Sequence, residues 1–307
     1  MIRVFIRYLA YPCIAVVTIA YLAHQLMLPK GELGAMHGLF IAALVLALVL
    51  LETFWPMQKR WQMTARLFLR RDLPFLVIGA ATVGAGNVAA SWVVLNLGWL
   101  QPTAWLSGLP VLPAALLSLL VTDGLWYALH RASHEGKGPL GRWLWRVHAA
   151  HHLPQQVYVL MHAVAHPLNT VMVRLILTVP PWLLGVSVEA LFVANVVTGV
   201  QGLVSHFNVD SRVGVLNHLL VGTELHRWHH AVGVQGNYAA VLPMWDRLFG
   251  TYVYRPGETP EGLGVDEPGA LPADTEWVRV LMDPMWPVQA ARAPTTSRSP
   301  SGSETGR

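Results

Sequence analysis

Four long stretches of this chain contain no Asp, Glu, Lys or Arg, and that decides the solvent in which it folds. They run from Tyr8 to Pro29, Leu33 to Leu51, Leu73 to Thr122 and Ala190 to Val209. A helix needs about 20 predominantly apolar residues to cross the hydrocarbon of a bilayer, and each stretch supplies that length. The third is long enough for two crossings, with Gly98 to Pro102 as the expected turn. Hydrophobic residues make up 54% of the chain and charged ones 12%, and the mean hydropathy is +0.44. An ordinary soluble domain is excluded by that balance.

Basic residues orient the spans. Arg3 and Arg7 precede the first, only Lys30 separates the first from the second, and Lys59, Arg60, Arg66, Arg70 and Arg71 crowd the next connection. Lys and Arg accumulate on the cytoplasmic side, so the N-terminus is expected there. Four crossings return the chain to the same side, where Arg131, Lys137, Arg142 and Arg146 follow. The segment Leu175 to Val188 is uncharged, but it is short for a crossing and contains Pro180 and Pro181. Paired with Ala190 to Val209, it reads as a re-entrant or interfacial hairpin. The first helix imitates a signal peptide, yet its apolar run is too long and no small-residue cleavage site follows, so a retained anchor is expected. Cys13, the only cysteine, lies within that span and permits no intramolecular disulfide.

Against this apolar background stand eight histidines in three tight clusters. His130 and His134 form H-x3-H; His148, His151 and His152 form H-x2-H-H; His226, His229 and His230 repeat that pattern. Helical residues three and four apart share a face, so each cluster can aim its imidazoles at a common point. Neutral imidazole suits iron, zinc, copper and nickel. Eight exceed the needs of one four-ligand zinc, and the count favours two metals.

These segments resemble the fatty acid hydroxylase / sterol desaturase superfamily of membrane di-iron enzymes. The resemblance is carried by Asp123 to His134, by Leu144 to His152, by His226-Arg-Trp-His229-His230, by Asn237-Tyr238 and by Trp245-Asp-Arg-Leu-Phe-Gly-Thr251, and it covers roughly residues 115 to 254. A weaker echo is Glu52-Thr-Phe-Trp-Pro56. Two departures stand out: Val164 occupies a position where members often have Arg, and Ala239 stands where a Gly is usual. The resemblance implies two iron ions, which zinc can replace on overexpression, with O2 as co-substrate. It further implies hydroxylation or desaturation of a fatty acyl, sphingoid or sterol-like membrane lipid. It points to His206 as a ninth ligand, in a setting with Asn208 and Asp210 close behind.

Asp123, Tyr127, His130 and His134 follow i, i+4, i+7, i+11, a single helical stripe. Metal-bound histidines commonly donate their free ring N–H to a carboxylate, which makes Asp123 the leading supporting residue. Tyr127, Asn208, Asp210 and Asn237 are further candidates. His166 either binds metal or ends a helix before Pro167. His24, His37, His162 and His218 read as packing residues.

The expected fold is all-α: a polytopic membrane protein with about four transmembrane helices, the hairpin, and a cytoplasmic histidine-rich cap. Residues 1–114 are expected to be membrane helices, 115–254 the catalytic domain and 255–307 a polar, partly disordered tail. Pro, Gly, Asp and Glu dominate from Pro256 to Asp274, and Ser, Thr, Pro and Gly from Ala293 to Arg307. With no haem, flavin or iron–sulfur segment in the chain, electrons have to come from a ferredoxin or a cytochrome b-type carrier with its reductase. The net charge of +4 suits anionic lipid better than nucleic acid. The competing reading is a histidine-rich membrane protein of another class, a metal transporter or a zinc-dependent hydrolase. For the hydrolase the H-E-x-x-H arrangement is missing, because His134-Glu135 continues with Gly136-Lys137-Gly138.

Overall fold

The structure is a computed structural model that describes residues 2–29, 31–96, 103–266 and 268–287. The expected turn at Gly98 to Pro102 and the tail from Ala293 to Arg307 lie outside the described residues. The chain forms α1 (Ile2–Met27), α2 (His37–Phe54), the short α3 (Ala65–Leu67), α4 (Leu73–Asn96), α5 (Val111–Glu135) and α6 (Gly138–His152). It continues with α7 (Pro167–Leu183), α8 (Val188–Ser205), α9 (Thr223–His229), α10 (Met244–Leu248) and α11 (Trp277–Met282). Among the described residues the only β pairing is an isolated bridge between Ala231 and Leu263.

Among the described residues, five helical segments are long and apolar enough to cross a membrane: Ile2–Met27, His37–Phe54, Lys59–Ala89, Val111–Glu135 and Val188–Ser205. Their outward faces carry exposed Val16, Ile19, Leu39, Leu46, Val77 and Val88. Apolar surface on that scale calls for a lipid solvent, and the chain is a polytopic membrane protein. Inside, α1, α2, α5 and α8 share one core that includes Leu22, Leu48, Ala114, Val196 and Val204. A buried hydrogen bond from Tyr11 Oη to Gln201 Oε1, 2.9 Å, joins α1 to α8.

The α7–α8 hairpin is longer than its uncharged part suggests. α7 begins at Pro167, where His166 caps it by accepting the Leu168 N–H at 3.1 Å, and it runs on through Pro180 and Pro181. Both prolines sit in the last turns, where each removes one backbone bond without having to be followed by further helix. At the tip, Thr103 N–H donates to Leu183 O at 2.8 Å and Leu106 N–H to Leu184 O at 3.0 Å. The hairpin therefore reaches the loop that opens α5, at the end of the bundle remote from the histidines.

The tail from residue 255 is expected from its composition to be partly disordered, but its described part is strapped down. Arg60 donates to Pro260 O at 3.1 Å, Val232 N–H to Gly262 O at 3.1 Å, Gly264 N–H to His230 O at 3.1 Å and Gly233 N–H to Asp266 Oδ1 at 2.8 Å. Arg146 pairs with Asp283 at 2.6 Å, and His166 Nε2 donates to Leu281 O at 3.0 Å. Composition alone misleads here because the anchors are basic side chains far away in sequence. Chief among them is Arg71, 0% exposed in a π-helical turn at Phe68–Asp72. It pairs with Asp72 at 2.9 Å, donates to Gln156 at 3.2 Å, and also binds Asp274 and Tyr158.

Removing one partner from a buried ion network leaves the others uncompensated, a loss of about 3–5 kcal/mol. Arg71→Met is therefore expected to lower the melting temperature of the detergent-solubilised protein and to expose the 256–274 segment to protease. Unchanged cleavage kinetics would show that the strap is held by other contacts.

Candidate metal centre

Nine histidines converge at one end of the bundle, in two groups. The first consists of His130, His134, His148, His152 and His229, the second of His151, His206, His226 and His230. Within each group one nitrogen per residue lies within 4.8 Å of all the others. The sequence boxes do not map one to one onto these groups. α5 gives both its histidines to the first group, but α6 splits, with His148 and His152 facing one way and His151 the other. α9 and the residue after it split in the opposite sense: His226 and His230 join the second group and His229 the first. His206, which directly follows α8, completes the second group.

In the first group His130 Nε2 is 2.9 Å from His148 Nε2, which is 3.0 Å from His152 Nε2; His229 Nε2 is 3.1 Å from His152 Nε2. In the second, His206 Nε2 is 3.0 Å from both His151 Nε2 and His226 Nε2, and His230 Nε2 is 3.1 Å from His226 Nε2. In five of the rings the opposite nitrogen meets a partner outside the groups. Nδ1 donates to Tyr238 O from His130 (2.6 Å), to Val164 O from His151 (3.0 Å), to Gly202 O from His206 (2.8 Å) and to Gly236 O from His229 (2.9 Å). His148 Nδ1 lies 3.2 Å from Asn169 Oδ1.

These bonds fix the tautomers, because a carbonyl accepts only from a protonated nitrogen. In neutral His151 and His206 both Nε2 atoms are then bare lone pairs, facing each other at 3.0 Å. Such a contact is repulsive unless a cation lies between the nitrogens. Metal–imidazole bonds of about 2.0–2.1 Å put neighbouring ligand nitrogens about 3 Å apart, which is the spacing seen. His134 Nε2 is buried with no protein partner, its ring packed on those of His148, His152 and His229. The donor set thus fits two bound metals.

Burial also enforces the neutral form. It pushes His148 down to about 3, with His229 adding to the shift, and His229 down to about 4. His151, His152, His226 and His230 are likewise lowered, by burial first and then by the neighbouring imidazoles. Neutral imidazole is the ligating form.

The supporting residues act one step further out than the sequence suggests. Asp123 binds no histidine. It accepts the N–H groups of Ala240, Val241 and Leu242 at 2.8–3.0 Å, fixing the loop whose Tyr238 carbonyl holds His130. Asp246 holds the other side of that loop, accepting Tyr238 N–H at 2.8 Å, Ala239 N–H at 2.9 Å and the Thr251 hydroxyl at 2.7 Å. Tyr127 lies 3.0 Å from the same Thr251 hydroxyl. Asn237, in the left-handed region at φ 54°, donates to Leu225 O and Val253 O and so braces α9.

Asn208 bonds both backbone groups of Gln58, and Asp210 pairs with Arg7 at 2.5 Å and Arg212 at 3.2 Å. Neither touches a ligating imidazole, because the outward nitrogens find backbone carbonyls closer at hand. His166 is a helix cap, and His37 and His218 hydrogen-bond Tyr21 and Tyr252. At the two departures, residue 164 is used through its carbonyl, and Ala239 has no positive φ that would call for glycine. Asn169 and the four carbonyl acceptors were not anticipated, since no side-chain pattern marks a carbonyl.

A cavity of about 450 Å³ opens onto His134, His152 and His229, walled by Arg142, Trp145, Val234 and Asp266 among others. A larger open groove of about 690 Å³ lies along α5 against Trp245 and Phe249 but touches no histidine. The smaller cavity is the one that bears on the chemistry.

A histidine whose folded pKa is depressed imposes no cost above its unfolded value of about 6.5, but below it the unfolded chain takes up protons that the folded one refuses. The metal-free protein is thus expected to lose thermal stability as pH falls from about 6.5 toward 4, with little change above 7. Melting curves in detergent across that range test the point, and a flat profile below 6.5 contradicts the buried neutral state.

A model of the fatty acid hydroxylase family matches residues 115–251, the segment that carries all nine histidines. An ornithine lipid hydroxylase of Rhizobium tropici is 29% identical over 244 residues, covering 75% of this chain and 72% of that protein. A putative methylsterol monooxygenase of Dictyostelium discoideum is 30% identical over 149 residues, 47% of this chain and 54% of that protein. The alkylglycerol monooxygenase of Homo sapiens is 27% identical over 169 residues, 52% of this chain and 33% of that protein. No solved structure matches the chain. With a fatty acid hydroxylase family model over residues 115–251 and lipid hydroxylases and monooxygenases among its relatives, the histidine-bearing segment of the chain belongs to the fatty acid hydroxylase family of lipid oxidoreductases.

Proposed function

We propose that the protein is an O2-dependent di-iron hydroxylase of a membrane lipid, with residues 115–254 as its catalytic domain and residues 1–114 as its membrane scaffold. The observation that carries this reading is the pair of all-histidine groups at the end of an apolar bundle. His130, His134, His148, His152 and His229 would hold one iron, and His151, His206, His226 and His230 the other. Two bound ferrous ions would supply the redox chemistry of O2 cleavage and C–H oxidation. The substrate C–H becomes C–OH, the second oxygen leaves as water, and two electrons and two protons come from outside. A ferredoxin or a cytochrome b-type carrier with its reductase is the donor class required.

The chain's own residues orient the ligands and shape the approach. Backbone carbonyls fix the direction of four rings, those of His130, His151, His206 and His229, while Asp123 and Asp246 fix the loop that presents one of those carbonyls. Substrate would enter through the 450 Å³ cavity, whose wall combines charged Arg142 and Asp266 with apolar Trp145 and Val234. Such a wall suits the junction between a lipid's headgroup and its chain. Hydroxylation is preferred over desaturation because the relatives above are hydroxylases or monooxygenases, and an amino-acid-derived lipid of the ornithine type is the first substrate to try. A zinc hydrolase of the H-E-x-x-H kind is disfavoured, because that arrangement is missing and Glu135, beside His134, accepts from Arg131 and Tyr238. The histidine end is placed on the cytoplasmic side, a placement the Arg and Lys distribution supports.

Protein purified with iron is expected to hold about two metals. Deleting the protein should remove a hydroxylated lipid from aerobically grown cells, and His229→Ala with His230→Ala, one ligand from each group, should do the same while leaving the protein in the membrane. Comparative lipidomics decides: unchanged lipids in the deletion would reject lipid oxidation, and an intact product in the double variant would reject the assigned ligands.

A further inference from the structure

The two groups are unequal, five imidazoles against four. Three i, i+4 pairs each serve one group: His130 with His134 and His148 with His152 in the first, His226 with His230 in the second. His206 has no such partner, because the residue one turn before it is Gly202. The space above Gly202 is not empty. A Cβ built there would stand 2.8 Å from Cε1 and 3.0 Å from Nε2 of His162. An imidazole from a different part of the chain thus fills the position that a side chain at 202 would occupy.

His162 lies in the 3-10 turn Val159–Ala163, which follows the second histidine box. Its ring centroid is 4.9 Å from that of His206. Its Nδ1 is buried without a hydrogen-bond partner, unlike the outward nitrogens of His151 and His206, which have carbonyls. A histidine serving only to pack against a glycine would leave that nitrogen unsatisfied for nothing, and buried polar groups are rarely left so. The turn itself is held from outside: Glu52 accepts Val159 N–H at 3.2 Å and Asn208 N–H at 3.2 Å, linking His162's turn to the His206 loop.

We propose that His162 is the fifth nitrogen donor of the second group, standing in for the histidine that Gly202 cannot provide. Its ring lies beside His206 rather than among the four mutually close nitrogens, so it engages when metal is bound. This inference rests on the two-metal reading above.

Full-length protein in detergent, stripped of metal and titrated with Co(II), tests it by absorption and by stoichiometry. Wild type is expected to bind two cobalt ions. His162→Phe keeps an aromatic ring on Gly202 but removes both nitrogens. It should still bind two, with one weakened on the order of tenfold or more and with stronger visible d–d absorption as that site loses a ligand. Adding Gly202→His to His162→Ala should restore the wild-type affinity and spectrum, because it supplies an imidazole one turn before His206. Two cobalt ions with unchanged affinity and spectrum in His162→Phe would overturn the proposal and leave the two-metal reading standing. A wild type that binds fewer than two would remove that reading, and this one with it.

Discussion

The rest of the structure depends on one contact that should not exist by itself. His151 and His206 each give their single ring proton to a backbone carbonyl, which leaves two lone pairs pointed at each other across 3.0 Å. Protonating either ring would relieve the repulsion, but burial penalises the charge, and every neighbour in the group is another imidazole. A cation at its centre would relieve that repulsion, so the protein's structural problem is to hold nine imidazoles close together in two groups. Its folding energy has to come from elsewhere.

That energy comes from apolar burial in the membrane core and from carboxylates buried just outside the histidines. Glu52, Asp123 and Asp246 each bind two or more backbone N–H groups, and each fixes a turn next to a ligand or the carbonyl that orients one. A carboxylate that touched a ligand directly would add negative charge to the metal. One that holds the backbone gives rigidity while leaving the ligand set neutral. The Trp245 to Thr251 segment makes sense in these terms: Asp246 ties down Tyr238 and Ala239, while Asn237 N–H donates to Thr251 O at 2.9 Å. Asp246 and Thr251 are thus spaced to build a loop.

Much of this was legible in the sequence, and what was not has a physical cause. Uncharged length alone located α1, α2, α4, α5 and α8, because the bilayer leaves the backbone no alternative to helix. The histidine boxes were legible because imidazole clusters at helical spacing are rare by chance. The roles of Asp123 and Asp210 were misjudged because a carboxylate near histidines in sequence has many possible donors in space; backbone amides won in one case and Arg7 in the other. The strapping of the 256–287 segment was invisible because its anchors, Arg60, Arg71 and Arg146, are local charges whose partners lie some 130 to 200 residues away. Asn169 was missed for a simpler reason, that one amide near a proline carries no signal.

The H-x2-H-H spacing itself explains why two groups form rather than one. At about 100° per residue, positions i and i+4 lie about 40° apart around a helix, and i+3 lies about 100° from i+4. A helix that presents i and i+4 to one centre therefore turns i+3 toward a second, on the far side of the same ridge. α6 does this with His148 and His152 against His151, and α9 with its following residue does it in mirror order, His226 and His230 against His229. Two such ridges facing each other close both centres at once, and His152 stacks on His230 at 4.5 Å where they meet. Each helix thus contributes to both groups. A displacement of α6 or α9 cannot loosen one centre without disturbing the other, and the spacing that makes the pair possible also couples it mechanically.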